Sequence, residues 1–423
     1  MSTRLERVPA AVRRPAVRPS VRPPGLVVLS RHAAPLRLYV VFLLLLVSSV
    51  AWRKGAYFSG GVDSVVLAKA GLTMLAFLIA ALTPRLPGAW ATIRAAPLLW
   101  LTAYLSIATV GALLAGDPLP SFVLAARVGL LAVTLLLVML SHPWPAVLSA
   151  LAGSMLVLAA FGALTGLGSL AETGRLYGGL PPLNANEICF LVSVPLVITF
   201  WRCVTVGGRW FEYAALPALL GVVWLTGART GLAALVLALL VVLALTPRIP
   251  SLVAALCAMA APVVVYVTFF TTALSEYAGR GGLESIVTLN SRTVAWRSAL
   301  DYHDTWVGHV FGGGLALKQV PVSAMYRSEQ ILDSTWLSAI LQSGYVGLCF
   351  LLFILISTLW AAFRVRPPHM PVILALLTMM TLTSVLESGL FDTTPAFILF
   401  FVIVLITHRV PEDQEDQEDQ EAR

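Results

Sequence analysis

Residues 274–333, LSEYAGRGGLESIVTLNSRTVAWRSALDYHDTWVGHVFGGGLALKQVPVSAMYRSEQILD, form the one long polar segment between the first and last apolar runs of the chain. They carry Arg280, Arg292, Arg297, Lys318 and Arg327 beside Glu276, Glu284, Asp301, Asp304, Glu329 and Asp333. A loop of this length between apolar elements is usually either functional or disordered. Trp296, Tyr302, Trp306 and Phe311 recur through it and supply apolar material for a core. The segment therefore reads as a small helical domain that roofs a membrane bundle and forms half of an active site.

On either side of it lie apolar runs long enough to cross a bilayer, which takes about 20 residues each. With 58% hydrophobic and 12% charged residues and a mean hydropathy of +0.87, the composition excludes an ordinary soluble domain. Twelve spans are expected near 36–52, 64–84, 96–115, 120–141, 144–166, 187–206, 211–227, 229–246, 250–272, 334–360, 371–387 and 393–409. The expected fold is an all-α polytopic membrane protein with one large, partly helical periplasmic loop. It divides into a basic leader (1–35), a bundle of nine spans (36–272), the loop domain (273–333), three further spans (334–409) and an acidic tail (410–423).

The leader is rich in arginine and proline and reads as disordered and cytoplasmic, with no cleavage site of a removable signal peptide. The tail repeats EDQ and reads as a solvated acidic run. With the amino terminus inside, the short cytoplasmic loops collect arginines and almost no acid, as the positive-inside rule asks. The net charge of +7 is thus mostly topology rather than a nucleic-acid signal. The four cysteines, Cys189, Cys203, Cys257 and Cys349, sit in or beside apolar spans without metal-ligand spacing. Lys69 and Arg127 fall inside expected spans, where an ionised side chain must face protein or water.

Several polar residues have two readings each. Arg229, at the outer tip of the 211–246 hairpin, suits a phosphate partner or snorkels to headgroups. Arg292 and Trp296 lie four apart on one helical face, capped by Asn290 or Ser291. That face either holds a phosphorylated glycan or lies on the bilayer surface. Asn184 and Asn186 stand where the sixth span begins and read as helix caps or ligand contacts. Asp333 is either an N-cap or a carboxylate aimed into a cavity, with Glu329 expected one turn earlier. The glycine triplet 312–314 lacks the lysine of a phosphate loop, and His303 and His309 lack a third metal ligand. No cofactor, metal or nucleic acid is expected.

Thr226-Gly227-Ala228-Arg229-Thr230-Gly231 before an apolar helix resembles the Ser-Arg-Thr-Gly signature of the O-antigen ligase and polymerase superfamily. The Asn184 segment, Arg292 with Trp296, the glycine triplet and Ser334 to Gly347 follow in that family's order, over roughly residues 170–360. The resemblance implies a glycosyltransferase acting on an undecaprenyl-diphosphate-linked glycan at the outer face of a bacterial cytoplasmic membrane. It implies that Arg229 and Arg292 engage the donor diphosphate. Arg175 and Arg280 join that candidate donor set, and Trp296, Asn184, Asn186 and His309 are candidate glycan or acceptor contacts. The ligase branch has a His-Asn pair where Asp333-Ser334 stands here. That difference favours the polymerase branch, with Asp333 or Glu329 as the base and a chain-length regulator as a partner. A ligase moving finished glycan to a lipid or protein, or a polysaccharide or lipid transporter, are the other readings. Internal repeats with broken midplane helices, which transporters tend to show, are missing from the sequence.

Overall fold

The computed structural model describes residues 35–53, 63–205, 207–247, 249–251, 253–254, 292–324 and 327–409. The leader up to residue 34, all but four residues of the expected span at 250–272, Arg280, the cap candidates Asn290 and Ser291, and the acidic tail lie outside the described residues. Helix dominates the rest, in the order α1 Leu36–Ser49, α2 Ser64–Leu82, α3 Ala89–Thr92, α4 Ala96–Ala115, α5 Pro118–Ser141, α6 Trp144–Thr165, α7 Gly168–Thr173, α8 Ala185–Thr205, α9 Trp210–Thr226 and α10 Arg229–Leu245. The polar segment contributes α11 Arg292–Leu300, α12 Trp306–Phe311, β1 Gln319–Ala324 and β2 Arg327–Ile331, and α13 Thr335–Ala362, α14 Met370–Leu386 and α15 Pro395–Thr407 complete the chain.

Six of these helices, α2, α4, α5, α6, α8 and α13, are long and apolar enough to cross a membrane, and α1, α9, α10, α14 and α15 are shorter apolar helices. They begin where local chemistry allows. The Asp63 carboxylate accepts from Val66 N at 2.8 Å to start α2, and Thr394 accepts from Phe397 N at 3.2 Å to start α15. Gly227, left-handed at φ 63°, ends α9 two residues before α10 begins. The hairpin is tight at its tip, but α10 packs chiefly against α14 and α8 rather than along α9.

The polar segment is not wholly helical. Between α12 and α13 it forms an antiparallel hairpin, with Val320 opposite Gln330 and Pro321 opposite Glu329. Its sequence signal is short: Val320 and Val322 alternate with Gln319, Pro321 and Ser323, a period of two that puts both valines on one face. That face is buried with Ala295, Ala299, Leu332 and Leu341, and Trp296 packs against the same small core. Glu329 therefore sits exposed on a strand, not one helical turn before Asp333.

This small domain is held to the bundle by a break in α13. Gly344 has φ 64° and ψ −169°, a region open essentially to glycine alone. The interruption leaves the Leu341 and Gln342 carbonyls to accept from Gly313 N at 2.9 Å and Gly314 N at 2.8 Å. His303 Nε2 also lies 3.0 Å from the Leu341 carbonyl. Across the seam, a Cβ on Gly111 of α4 would stand 2.2 Å from the Phe311 carbonyl, and one on Gly344 would stand 2.2 Å from that of Val310. Gly344→Ala and Gly111→Val should each destabilise the protein by at least ~2 kcal/mol, from strain at the first and overlap at the second. Gly71→Ala, where no atom lies within 4 Å, should be neutral or stabilising. Thermal melts in detergent compare the three, and equal melting temperatures would refute this account of the seam.

Candidate functional site

A cavity of about 630 Å³ opens where the 166–184 and 387–394 loops, the hairpin of β1 and β2, and the first turns of α8, α10 and α13 converge. Two charged groups line or border it. The first is built around Arg292, the opening residue of α11. Its Nε lies 3.6 Å from Asp333 Oδ2 and its Nη2 lies 3.6 Å from Glu387 Oε1, so one guanidinium bridges two carboxylates. Glu387 caps the end of α14, and its backbone carbonyl accepts from Thr335 N at 3.2 Å and Thr335 Oγ1 at 2.9 Å. The end of α14 is thereby joined to the start of α13, which sets Glu387 beside Asp333. Asn186 Nδ2 also donates to the Glu387 carboxylate.

Enclosure in the cavity wall, and then the neighbouring Asp333 carboxylate, push Glu387 up to about 7, against Arg292 and Asn186. Partial burial likewise raises Asp333 above the usual carboxylate range, opposed by Arg292. Asp333 is not the helix cap. That position belongs to Ser334, and the Asp333 side chain is turned to Arg292 instead.

The second group lies on the other wall. Lys69 of α2 and Arg127 of α5 both line the cavity, as the cost of a cation in hydrocarbon requires. Lys69 Nζ donates to the Val50 carbonyl at 2.7 Å. Lys318, from just before β1, forms an ion pair with Asp392 in the loop between α14 and α15. Burial works to raise Asp392, but the Lys318 ammonium, the Thr393 N–H and Arg127 outweigh it and hold the carboxyl below its ordinary range.

Of the residues singled out from the sequence, Asp333, Asn184 and Asn186 line the cavity and Arg292 borders it. Asn184 also serves the start of α8: its N–H donates to Glu187 Oε2 at 2.8 Å and its carbonyl accepts from Ile188 N at 3.0 Å. Arg229 is the partly buried first residue of α10, beside cavity-lining Thr230 and Gly231. Arg175 is engaged elsewhere. Its Nε donates to the Thr226 carbonyl at 3.0 Å and its guanidinium lies over the Tyr177 ring, so it ties the 166–184 loop to the hairpin tip. Trp296 packs into the small core of the loop domain, His309 stacks on Tyr345 at 6.3 Å, and Glu329 is exposed on β2; none of the three lines the cavity. Glu387, Glu187 and the Lys318–Asp392 pair were not identified from sequence. Among the described residues no three His, Cys, Asp or Glu side chains gather as a metal-ligand group. Compared with known proteins, the chain matches no family model and no curated sequence.

Because Glu387 is raised from 4.5 to about 7, folding favours its protonated form. Its ionisation erodes stability as pH climbs through that window, and the loss levels off above about 7. Arg292→Met removes the cation between the two carboxylates and carries this loss to higher pH. The melting temperature of the variant should fall below that of the parent by several degrees near pH ~8 and by much less near pH ~5.5. A deficit that does not change with pH would contradict the bridge.

Proposed function

We propose that this chain is a multi-pass glycosyltransferase of the bacterial cytoplasmic membrane, joining polyprenyl-diphosphate-linked oligosaccharide repeat units into a surface polysaccharide. The reading includes twelve spans, both termini in the cytoplasm, and a cavity that faces the periplasm. The observation that carries it is the pairing, around one open cavity, of an arginine-bridged carboxylate pair with a separate set of cations, two of them on helices long and apolar enough to cross a membrane. Extending a glycan from a lipid diphosphate asks for those two things. One group must take a proton from a sugar hydroxyl, and positive charge must stabilise a departing diphosphate.

In the proposed step the acceptor hydroxyl oxygen forms a bond to the anomeric carbon of the donor. The bond from that carbon to the diphosphate oxygen breaks, and the electron pair leaves with the diphosphate. The hydroxyl proton passes to the Asp333–Glu387 pair, which titrates as a unit because the two carboxylates interact. Glu387, rather than Glu329, is the second carboxylate beside Asp333, and enclosure with the like charge of Asp333 keeps it basic near neutral pH. Arg229 and Arg292 are the donor-binding pair by resemblance. The positive charge comes from side chains, so the proposed reaction needs no metal or nucleotide.

Asp333→Asn and Glu387→Gln should each lower glycan transfer ~10²–10⁴-fold while the protein still folds. His303→Ala, His309→Ala and Glu329→Gln should keep measurable activity. The base must be ionised, so the rate of the parent enzyme should rise with pH up to about 7 and flatten above it. Transfer is measured with purified protein and lipid-linked repeat units. Normal polymerisation by both carboxylate variants would remove the pair from the mechanism.

A further inference from the structure

We propose that Lys69 and Arg127 form an oxyanion-binding end of the cavity, one that receives a phosphate or diphosphate group more directly than Arg292 does. The inference rests on the transferase reading only for the identity of the lipid that carries the group. The comparison of the cations is direct. Arg292 is already compensated, with one carboxylate at Nε and another at Nη2. Arg127 makes no hydrogen bond or ion pair among the described residues. The acid that acts on it, Asp392, is engaged by Lys318 and by the Thr393 N–H at 2.7 Å.

Lys69 gives one bond to a backbone carbonyl and has two further N–H groups. It is close enough to Arg127, Lys318, Glu187 and Asp392 to feel all four. With every group ionised, three cations there face two carboxylates, and an anion completes the set. The five donors of a guanidinium, forked and planar, match phosphate oxygens better than they match a neutral sugar.

Depth supports the same class of ligand. Arg127 stands nine residues into α5, about 13 Å along the helix at ~1.5 Å per residue. A cation at that level is stable only in a polar cavity and in the company of negative charge. A phosphate carried on a membrane lipid can be drawn in from the side of the bundle with its lipid left in the bilayer, whereas a free anion must enter from water through the mouth. The shared chemistry is the phosphate oxyanion, and its source is what the probes separate.

The full chain, purified in detergent, is titrated with undecaprenyl diphosphate, inorganic diphosphate and undecaprenol, and binding is read as a shift in melting temperature. Undecaprenyl diphosphate should bind, and undecaprenol should bind at least ~10-fold more weakly, since charge-assisted bonds are lost. Inorganic diphosphate equal to the lipid form assigns a free anion; a much weaker response assigns a lipid-borne one. Arg127→Gln and Lys69→Met should each weaken diphosphate binding ~10-fold or more, Arg127→Lys less, and Arg292→Gln less than Arg127→Gln. Unchanged binding in Arg127→Gln and Lys69→Met overturns the proposal. So does equal binding of undecaprenol and undecaprenyl diphosphate by the unmodified chain, a measurement that needs no variant to fold. Diphosphate binding that depends on Arg127, in a protein that transfers no glycan, would overturn the transferase reading and leave this site standing. Normal transfer and binding by Arg127→Gln would do the reverse.

Discussion

Charge at membrane depth is costly unless it faces protein or water, and the organisation of this bundle follows from that constraint. Lys69 and Arg127 lie on α2 and α5, helices otherwise uncharged through their length. Both are turned inward to one cavity. One side of the cavity is closed by the end of the polar segment, where Lys318 pairs with Asp392 and Ile331, Leu332 and Asp333 join the lining. The same electrostatic demand thus opens the pocket and docks the domain that closes over it.

Backbone bonds, more than side chains, then fix where the carboxylates stand. The break at Gly344 frees two carbonyls of α13 for the glycine triplet, so the loop domain is bonded to the helix that begins at Thr335. The Glu387 carbonyl caps that same helix start. Asp333 and Glu387 come from separate elements, yet each is within a residue or two of a point where the main chain is pinned, Asp333 after the Leu332 N–H bond to the Lys318 carbonyl and Glu387 at its own carbonyl. Under the proposed function this matters because an acid–base pair needs sub-ångström placement, and side chains on a loose loop do not supply it.

The helices were legible because apolar runs of twenty residues have few other uses. The cations at positions 69 and 127 were legible for the complementary reason: nothing but function or pairing accounts for them there. Arg292 and Asp333 could be named from their places at helix starts. Their pairing could not, because it depends on a contact across forty residues of intervening chain. Glu387 escaped notice because it looks like an ordinary residue at the end of a span, and only the capping of α13 by its carbonyl shows why it faces Asp333. The hairpin was missed for a different reason. Two alternating valines interrupted by proline are too short a pattern to outweigh a helical expectation, and the error carried Glu329 into the site along with it.

The separation of the two charged groups has a chemical consequence for the proposed reaction. A base near a concentration of positive charge is stabilised as its anion and loses basicity. If Lys318 and Arg127 stood as close to Glu387, its carboxyl would fall toward the range of Asp392, where they and the Thr393 N–H overcome the effect of burial. Asp392 therefore shows, inside the same cavity, what direct pairing with Lys318 does to an enclosed acid. Glu387 escapes that fate because its cationic neighbour is the single Arg292, which it shares with Asp333. One arginine divided between two acids orients both without fully neutralising either. On this view Arg292 holds two carboxylates side by side, and their enclosure in the cavity wall, reinforced by the repulsion between them, leaves a proton-accepting group near neutral pH.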